Sequence, residues 1–117
     1  MDSEGNFTTP VPVNELNTTA SDYFPVVRKD GLEIYVTSNR TGTLGGQDIW
    51  VSTRNNTSEK WSVPVNLGSA INSTDHELRA ALTWDGMNMV FASNKGGGPY
   101  DYDLYKSQRT KITGANK

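Results

Sequence analysis

The amino-acid sequence predicts an all-β protein built from two copies of one sheet-forming unit. The first observation is an internal repeat: residues 17–54 align without a gap with residues 72–109, with 10 identities over 38 positions. The second is that apolar residues alternate or cluster in short runs, as in β-strands, and never recur with the period of a helix. The third is an Asp-Gly pair in each copy, a strong signal for a β-hairpin.

The first copy contains four predicted strands. An apolar run at residues 23–27 leads into the Asp30-Gly31 turn, and the β-branched and aromatic segment 33–37 follows it. A polar loop separates this segment from the third strand, residues 48–52. The fourth, residues 61–65, contains a proline, which favours the edge of a sheet because proline lacks the N–H that an inner strand uses.

The second copy repeats only three of these strands, at residues 78–83, 88–92 and 102–107, with the Asp85-Gly86 turn between the first two. The counterpart of the fourth strand stands at the other end of the chain, because Val11-Pro12-Val13-Asn14 matches Val63-Pro64-Val65-Asn66. We therefore expect an outer strand, residues 10–16, to be exchanged between chains. The predicted organisation is a flexible segment 1–10, repeat one at 17–66, repeat two at 72–109 and a flexible tail 110–117.

Composition excludes several classes of function. The chain has 117 residues, 34% of them hydrophobic, and a formal net charge of −2, without the basic stripe that nucleic-acid binding requires. No apolar run approaches the roughly 18 residues of a membrane span. Cysteine is absent, which excludes disulfides and thiolate metal sites. The first residues lack the basic and apolar regions of a signal peptide, so the compartment is left open.

A longer motif joins the two copies: Trp61-Ser62-x-Pro64-Val65-Asn66-Leu67-Gly68-x-x-Ile71-Asn72. After it come, in order, an acidic residue, an apolar strand, Asp-Gly, a second apolar strand, Ser-Asn-Arg or Ser-Asn-Lys, a Gly-rich loop and Asp-Ile-Trp or Asp-Leu-Tyr. This order resembles the TolB-type, WD-repeat-like β-propeller repeat of bacterial periplasmic and envelope proteins. The resemblance covers residues 11–109 and implies four-stranded antiparallel blades, two per chain, with a periplasmic or cell-envelope location. The sequence departs from the repeat before each Asp-Gly, where the usual proline is Lys29 or Trp84.

Two blades cannot close a propeller, since rings of this kind have about four to eight. Each repeat buries its faces against its neighbours, so an isolated pair would expose two sheet faces and an unpaired edge. We therefore expect identical chains to associate head to tail in a closed ring. A trimer is favoured because the TolB propeller is six-bladed, and a tetramer comes next. The alternative is that the chain is a fragment of a larger propeller.

No catalytic motif is present, and no cofactor or metal is expected. The single histidine, His76, is not part of a His-Glu-x-x-His motif, and neither a Gly-x-Ser-x-Gly elbow nor a P-loop occurs. Asp48 and Asp103 permit a calcium interpretation. A structural role is favoured, because both open the third strand of a repeat and could accept backbone N–H groups. Arg40 and Lys95 are predicted to be the partners of these two carboxylates.

The candidate ligand-binding residues are Asp22 and Glu77, which open the first strand of each repeat. The propeller resemblance implies that these strands line the channel, so a ring would gather both acidic residues with His76 and Arg79 near one mouth. Convergent carboxylates could bind a cation or a basic peptide. Trp84 completes the set as the predicted exposed aromatic residue. In contrast, Trp50 aligns with Tyr105 and is predicted to pack between blades.

The expected function is a non-catalytic scaffold or binding module. In this hypothesis the chain self-assembles into a ring and presents loops around a central channel to a protein or peptide. The alternative is a carbohydrate-binding or glycosidase-like propeller with its site at the channel mouth. A glycosidase would require paired carboxylates about 5–10 Å apart, which Asp22 and Glu77 would have to supply.

Overall fold

The computed structural model describes residues 4–98 and 100–110, and over these residues the fold is all-β, as the sequence predicts. Seven strands form two antiparallel sheets, and the described residues contain no helix that could cross a lipid bilayer. The first sheet has the order β1–β2–β3–β4 and the second the order β5–β6–β7. The strands are β1 (Asp22–Val27), β2 (Glu33–Ser38), β3 (Asp48–Thr53), β4 (Val65–Asn66), β5 (Glu77–Leu82), β6 (Asn88–Ser93) and β7 (Asp103–Gln108).

The two hairpins that open the sheets are built alike, down to their irregularities. Strand pairing is interrupted by a bulge between Tyr23 and Val26 in β1, and again between Leu78 and Ala81 in β5. Phe24 and Arg79, which occupy equivalent positions in these bulges, have φ angles of 53° and 59°. Left-handed conformations are uncommon for residues other than glycine, so their recurrence marks a feature of the repeat rather than an accident of one copy.

The Asp-Gly turns form as predicted, with both glycines in the left-handed region at φ 77° and 73°. In each turn the aspartate side chain accepts a backbone N–H two residues on, and a distant arginine closes the turn by donating to the glycine carbonyl. These contacts are Leu32 N to Asp30 Oδ1 (3.0 Å), Met87 N to Asp85 Oδ1 (2.9 Å), Arg54 Nε to Gly31 O (2.8 Å) and Arg109 Nε to Gly86 O (2.9 Å).

The main core lies between the two sheets. Tyr35 and Ile49 from the first sheet pack with Met89 and Phe91 from the second, and Ile49 is completely buried. Strand β5 contacts β1, β2 and β3, so the second sheet packs across three strands of the first.

A second cluster covers the opposite face of the first sheet. It consists of Leu16, Ile34, Val36 and Trp50, with Trp61 packed against them. None of these residues belongs to the second sheet, so within this chain Trp50 packs on the first sheet alone, and its predicted packing between blades stays a prediction for a contact between chains. Side chains alternate along a strand, so Ile49 faces the second sheet and its neighbour Trp50 faces away.

The fourth strand is shorter than predicted: β4 is Val65–Asn66, rather than residues 61–65. Pro64 has no N–H to contribute to the ladder, which limits regular pairing. Residues 61–66 still follow β3, because Ser62 N donates to Thr53 O (2.9 Å) and Thr53 N donates to Ser62 Oγ (3.1 Å).

The second sheet has three strands in the described part of the chain, and residues 6–13 belong to no strand. The exchange of segment 10–16 between chains stays a prediction. Of the two predicted flexible ends, residues 1–3 and 111–117 lie outside the described residues.

Candidate functional site

Asp22 is held in a network of hydrogen bonds where β1 begins. Its Oδ1 accepts the Ser38 hydroxyl (2.7 Å) and Arg40 Nη2 (3.0 Å), and its Oδ2 accepts Thr18 N (2.7 Å). Burial alone would raise the pKa of Asp22, but the hydrogen bonds from Ser38 and Thr18 and the positive charge of Arg40 outweigh it and lower the pKa. The carboxylate therefore joins the loop before β1 to the end of β2.

Glu77 occupies the equivalent place in the second sheet and is completely buried. Its Oε1 accepts Ser73 N (2.7 Å), and its Oε2 accepts the hydroxyls of Ser73 and Ser93 (both 2.6 Å). Ser73 is the repeat counterpart of Thr18, and Ser93 that of Ser38. Because the same bonds recur in both copies, their first role is to fix the loop and strand ends. Any ligand binding by these two carboxylates stays a prediction.

The predicted pairing of Arg40 with Asp48 is wrong, because Arg40 forms its ion pair with Asp22. The Arg40 backbone N and Nε both donate to Ser38 Oγ (3.1 Å each), which directs the guanidinium towards β1. Lys95 likewise places its ammonium 4.3 Å from the ring centre of Tyr105.

Asp48 has the structural role that the sequence predicts. It is completely buried, and its Oδ2 accepts Leu44 N (2.6 Å) in the preceding loop and Asn66 Nδ2 (2.8 Å). Its counterpart Asp103 is exposed. Within residues 4–98 and 100–110, no group of three or more histidine, cysteine, aspartate or glutamate residues is arranged to hold a metal ion.

His76 lies at the junction of the two sheets. Its Nδ1 accepts Gln47 N (2.9 Å), and beside it Glu77 N donates to Gln47 O (2.8 Å). Gly46 passes so close that a Cβ there would meet the imidazole ring at 2.1 Å, so a larger residue would have to displace the ring. The histidine thus connects the sheets through its side chain.

Arg79 contacts a residue that the sequence analysis missed. Its guanidinium carbon lies 4.3 Å from the ring centre of Phe24, a distance typical of a cation–π contact. The backbone N–H of Arg79 donates to Thr37 Oγ1 (3.2 Å). The Phe24 ring also lies 4.4 Å from that of Tyr23. A signal for Phe24 exists in the sequence, because it stands at the same repeat position as Arg79.

Trp84 is exposed, as predicted, but it lies at the other end of β5. Six residues separate it from Glu77, most of them in β5, a path of roughly 20 Å. The Lys29 ammonium lies 4.3 Å from its ring centre. The structure thus brings His76 and Glu77 together at one end of the inner strands, places Arg79 and Phe24 at the bulges, and puts Trp84 apart from all of them.

Two apolar cavities open on the surface of the described part of the chain, one on the first sheet and one where the second sheet meets the first. The first-sheet cavity, of about 180 Å³, is lined by Leu16, Ile34 and Val36 together with Asp22 and Tyr23. The second-sheet cavity, of about 140 Å³, is lined mainly by second-sheet residues, among them Met89, Ser107, Gln108 and Arg109, and also by Ile71 and by Tyr35 of the first sheet.

No protein-family model, curated protein or solved structure matches this chain. The interpretation of its surfaces therefore depends on its own repeat, in which each half is a reference for the other.

Proposed function

We propose that the protein is a non-catalytic scaffold of the β-propeller type, resembling TolB-type repeats, that assembles head to tail into a closed ring. The ring would present loops around a central channel to a protein or peptide. One observation supports the proposal. Residues on both sides of the interface between the two sheets have repeat counterparts elsewhere on the chain, and these counterparts are exposed.

Ile49 and Leu104 make this mismatch clear. They occupy the same repeat position, yet Ile49 is 0% exposed between the sheets and Leu104 is 77% exposed on the outer face of β7. Val90, the counterpart of the buried Tyr35, lies on the same outer face and is also exposed. An apolar face with this pattern marks an interaction surface.

The receiving half of the interface is open at the other end of the chain. Within the chain, Asn72 is 2% exposed and clamps β3, because its Oδ1 accepts Ile49 N and its Nδ2 donates to Ile49 O, both at 2.9 Å. Its counterpart Asn17 is exposed. A second copy could therefore place Leu104 against Asn17 and the first-sheet cavity, as Ile49 packs against the second sheet.

Such a contact uses different surfaces on the two partners, so it repeats from chain to chain and gives a ring when the rotation between successive chains closes the circle. Three chains of two blades would give six blades, which is the favoured assembly, and four chains would give eight. In this arrangement β1 and β5 line the channel, and Phe24 and Arg79 alternate around it. Aromatic and cationic groups at the bulges would be the contact points for a peptide, with His76, Asp22 and Glu77 near the mouth.

The carbohydrate-binding alternative has one supporting observation, the exposed ring of Trp84. Its glycosidase form is less favoured, because the carboxylate oxygens of Asp22 and Glu77 are already engaged by hydroxyl, amide or guanidinium groups.

Native mass tests the proposal. Light scattering after size-exclusion chromatography should give about three times the 12.9 kDa chain mass. Leu104→Asp should reduce the mass to that of one chain, because the substitution places a charge in the buried contact. Val63→Asp is the matched control, since Val63 is similarly exposed but lies on neither half of the interface. A stable, soluble wild-type monomer would overturn the proposal.

A further inference from the structure

The second-sheet cavity lies where the first sheet holds its outer segment. Each of five residues lining the cavity has a repeat counterpart 55 positions earlier, and these counterparts surround Trp61 and Ser62. The cavity residues are Ile71, Met89, Ser107, Gln108 and Arg109, and their counterparts are Leu16, Ile34, Ser52, Thr53 and Arg54. The cavity therefore corresponds to the site that Trp61 and Ser62 occupy in the first sheet.

In the first sheet an aromatic side chain and a hydroxyl group fill that place. Trp61 packs against the apolar cluster, and the guanidinium carbon of Arg54 lies 3.9 Å from the centre of its ring. Ser62 follows with hydrogen bonds to Ser52 and Thr53: the Ser52 hydroxyl donates to Ser62 O (2.5 Å), and Thr53 N donates to Ser62 Oγ (3.1 Å).

In the second sheet, the arginine equivalent to Arg54 is already held in the same way. Arg109 Nε donates to Gly86 O (2.9 Å), as Arg54 Nε donates to Gly31 O (2.8 Å). Arg109 is further fixed by Glu33, whose Oε1 accepts its Nη2 at 2.7 Å. Its guanidinium plane is thus held ready to stack on an aromatic ring.

One other segment of the chain carries the required chemistry. Phe7-Thr8-Thr9-Pro10-Val11 matches Trp61-Ser62-Val63-Pro64-Val65 as aromatic, hydroxyl, β-branched, proline and valine. Phe7 is 89% exposed, and Val11 is exposed as well. In this alignment the outer strand is residues 7–11 and not the predicted 10–16. The segment from Phe7 to Asn17 is then one residue shorter than the segment from Trp61 to Asn72.

The path of the chain assigns this segment to another copy. Residues 61–66 complete the first sheet and then lead through Asn72 into β5 of the second sheet. Residues 7–11 lead in the same way through Asn17 into β1, so they complete the sheet that precedes the first. Leu16 already packs on the face of the first sheet opposite its own second sheet, which directs the segment away from its own cavity.

We propose that the second-sheet cavity is the docking site for residues 7–11 of a second copy of this chain. Phe7 enters the cavity and stacks on Arg109, while Thr8 bonds to Ser107 and to the backbone of Gln108. The inference rests on the proposed head-to-tail assembly and adds its mode of recognition: each chain supplies the missing outer strand of its neighbour.

Cysteine cross-linking tests the docking in the full chain, which has no cysteine of its own. The variant Thr8→Cys/Ser107→Cys should form disulfides between chains under mild oxidation, because Ser62 Oγ and Ser52 Oγ lie 3.1 Å apart at the equivalent place. The products on a non-reducing gel should end at the trimer. Thr8→Cys/Ser52→Cys is the matched control and should not cross-link, since Ser62 already occupies that place.

The outcomes separate this inference from the proposed ring. An oligomeric wild-type mass without cross-linking of the Ser107→Cys pair would overturn the docking and leave the ring. A disulfide within one chain, recognised by its monomer mass, would also overturn it. Cross-links between chains with a monomeric wild-type mass would support the docking and contradict a stable ring. As a second measurement, Phe7→Ala should lower the oligomer fraction, whereas Phe7→Trp should preserve it.

Discussion

At the scale of single residues, the repeat keeps hydrogen-bonding groups and varies charge. Glu33 is the clearest difference, since its counterpart in the second copy is Asn88. Glu33 is buried between the sheets, where its Oε1 accepts the Tyr35 hydroxyl (2.8 Å) and its two oxygens accept Arg109 Nη1 (3.1 Å) and Nη2 (2.7 Å). Arg28 Nη1 lies 3.3 Å from the same carboxylate. Glu33 therefore pairs with two arginines, and Arg28 has a second carboxylate partner in Asp30, whose Oδ1 lies 3.0 Å from Arg28 Nε.

This cluster predicts a loss of stability in acid. Burial raises the pKa of Glu33, but hydrogen bonds from Arg109 and Tyr35 and the two positive charges outweigh it, so the folded-state pKa lies below its ordinary value of 4.5. Its stabilisation is therefore fully present above about pH 4.5 and is lost as the pH falls through the lower folded-state pKa. Glu33→Gln should lower the free energy of unfolding at pH 7 by about 3 kcal/mol.

Urea unfolding at pH 7 and pH 3 measures both effects. The variant should also lose part of the pH dependence of the wild type. Glu59→Gln is the control, because Glu59 is exposed and should change neither value by much. An unchanged pH dependence in Glu33→Gln would contradict the assignment.

At the scale of strands and turns, sequence reasoning succeeded where the signal is local. The Asp-Gly pairs identified both hairpins, and alternating apolar residues located six strands to within a residue at most ends. It failed at residues 61–65, because Pro64 and side-chain hydrogen bonds replace a regular ladder there. Sequence reasoning also missed the role of Asn72, because its hydrogen bonds to β3 join residues 23 positions apart.

The Asn72 clamp gives a prediction with an internal control. Asn72→Ala should cost about 1–3 kcal/mol, because it leaves the buried N–H of Ile49 without a partner. The Ile49 carbonyl would keep its second donor, Leu67 N (3.2 Å). Asn17→Ala changes the counterpart, which is exposed in the single chain, and should hardly alter the unfolding of a monomeric background such as Leu104→Asp.

Urea unfolding of each asparagine variant in that background measures the difference. In the wild-type background, Asn17→Ala should instead weaken assembly, seen as a lower native mass. Equal destabilisation by the two variants in the monomeric background would contradict the role given to Asn72.

The candidate site was less predictable than the strands. His76 and Glu77 lie together because they are neighbours in sequence, whereas Trp84 was grouped with them on exposure alone and lies apart. Ligand binding by these residues stays a prediction. The bonding of Asp22 had a visible signal, since Thr18 precedes it by four residues as Ser73 precedes Glu77. The partner of Arg40 had none, because the direction of a long side chain depends on the three-dimensional position of Ser38.

At the scale of the whole molecule, the described part of the chain has two unlike faces, and its second sheet has one strand fewer than the first. The outer face of β7 exposes Leu104, and the opposite end exposes Asn17 beside an apolar cavity. Association that buries such surfaces stabilises the folded chain by mass action, so stability should depend on protein concentration.

Thermal unfolding across a hundredfold range of concentration tests this dependence. The midpoint should rise with concentration for the wild type and for Val63→Asp, and it should stay constant for Leu104→Asp. A midpoint independent of concentration in the wild type would exclude assembly coupled to folding.

The exchange of Glu33 for Asn88 has a consequence for how a ring would come apart. Within a chain, Arg109 meets a carboxylate across the sheet interface. At a joint between chains, the equivalent Arg54 would meet the neutral amide of Asn88, so the two kinds of joint alternate in strength. Gradual denaturation should then release whole chains before any chain opens, and the subunit would be the smallest unit that is exchanged and reused.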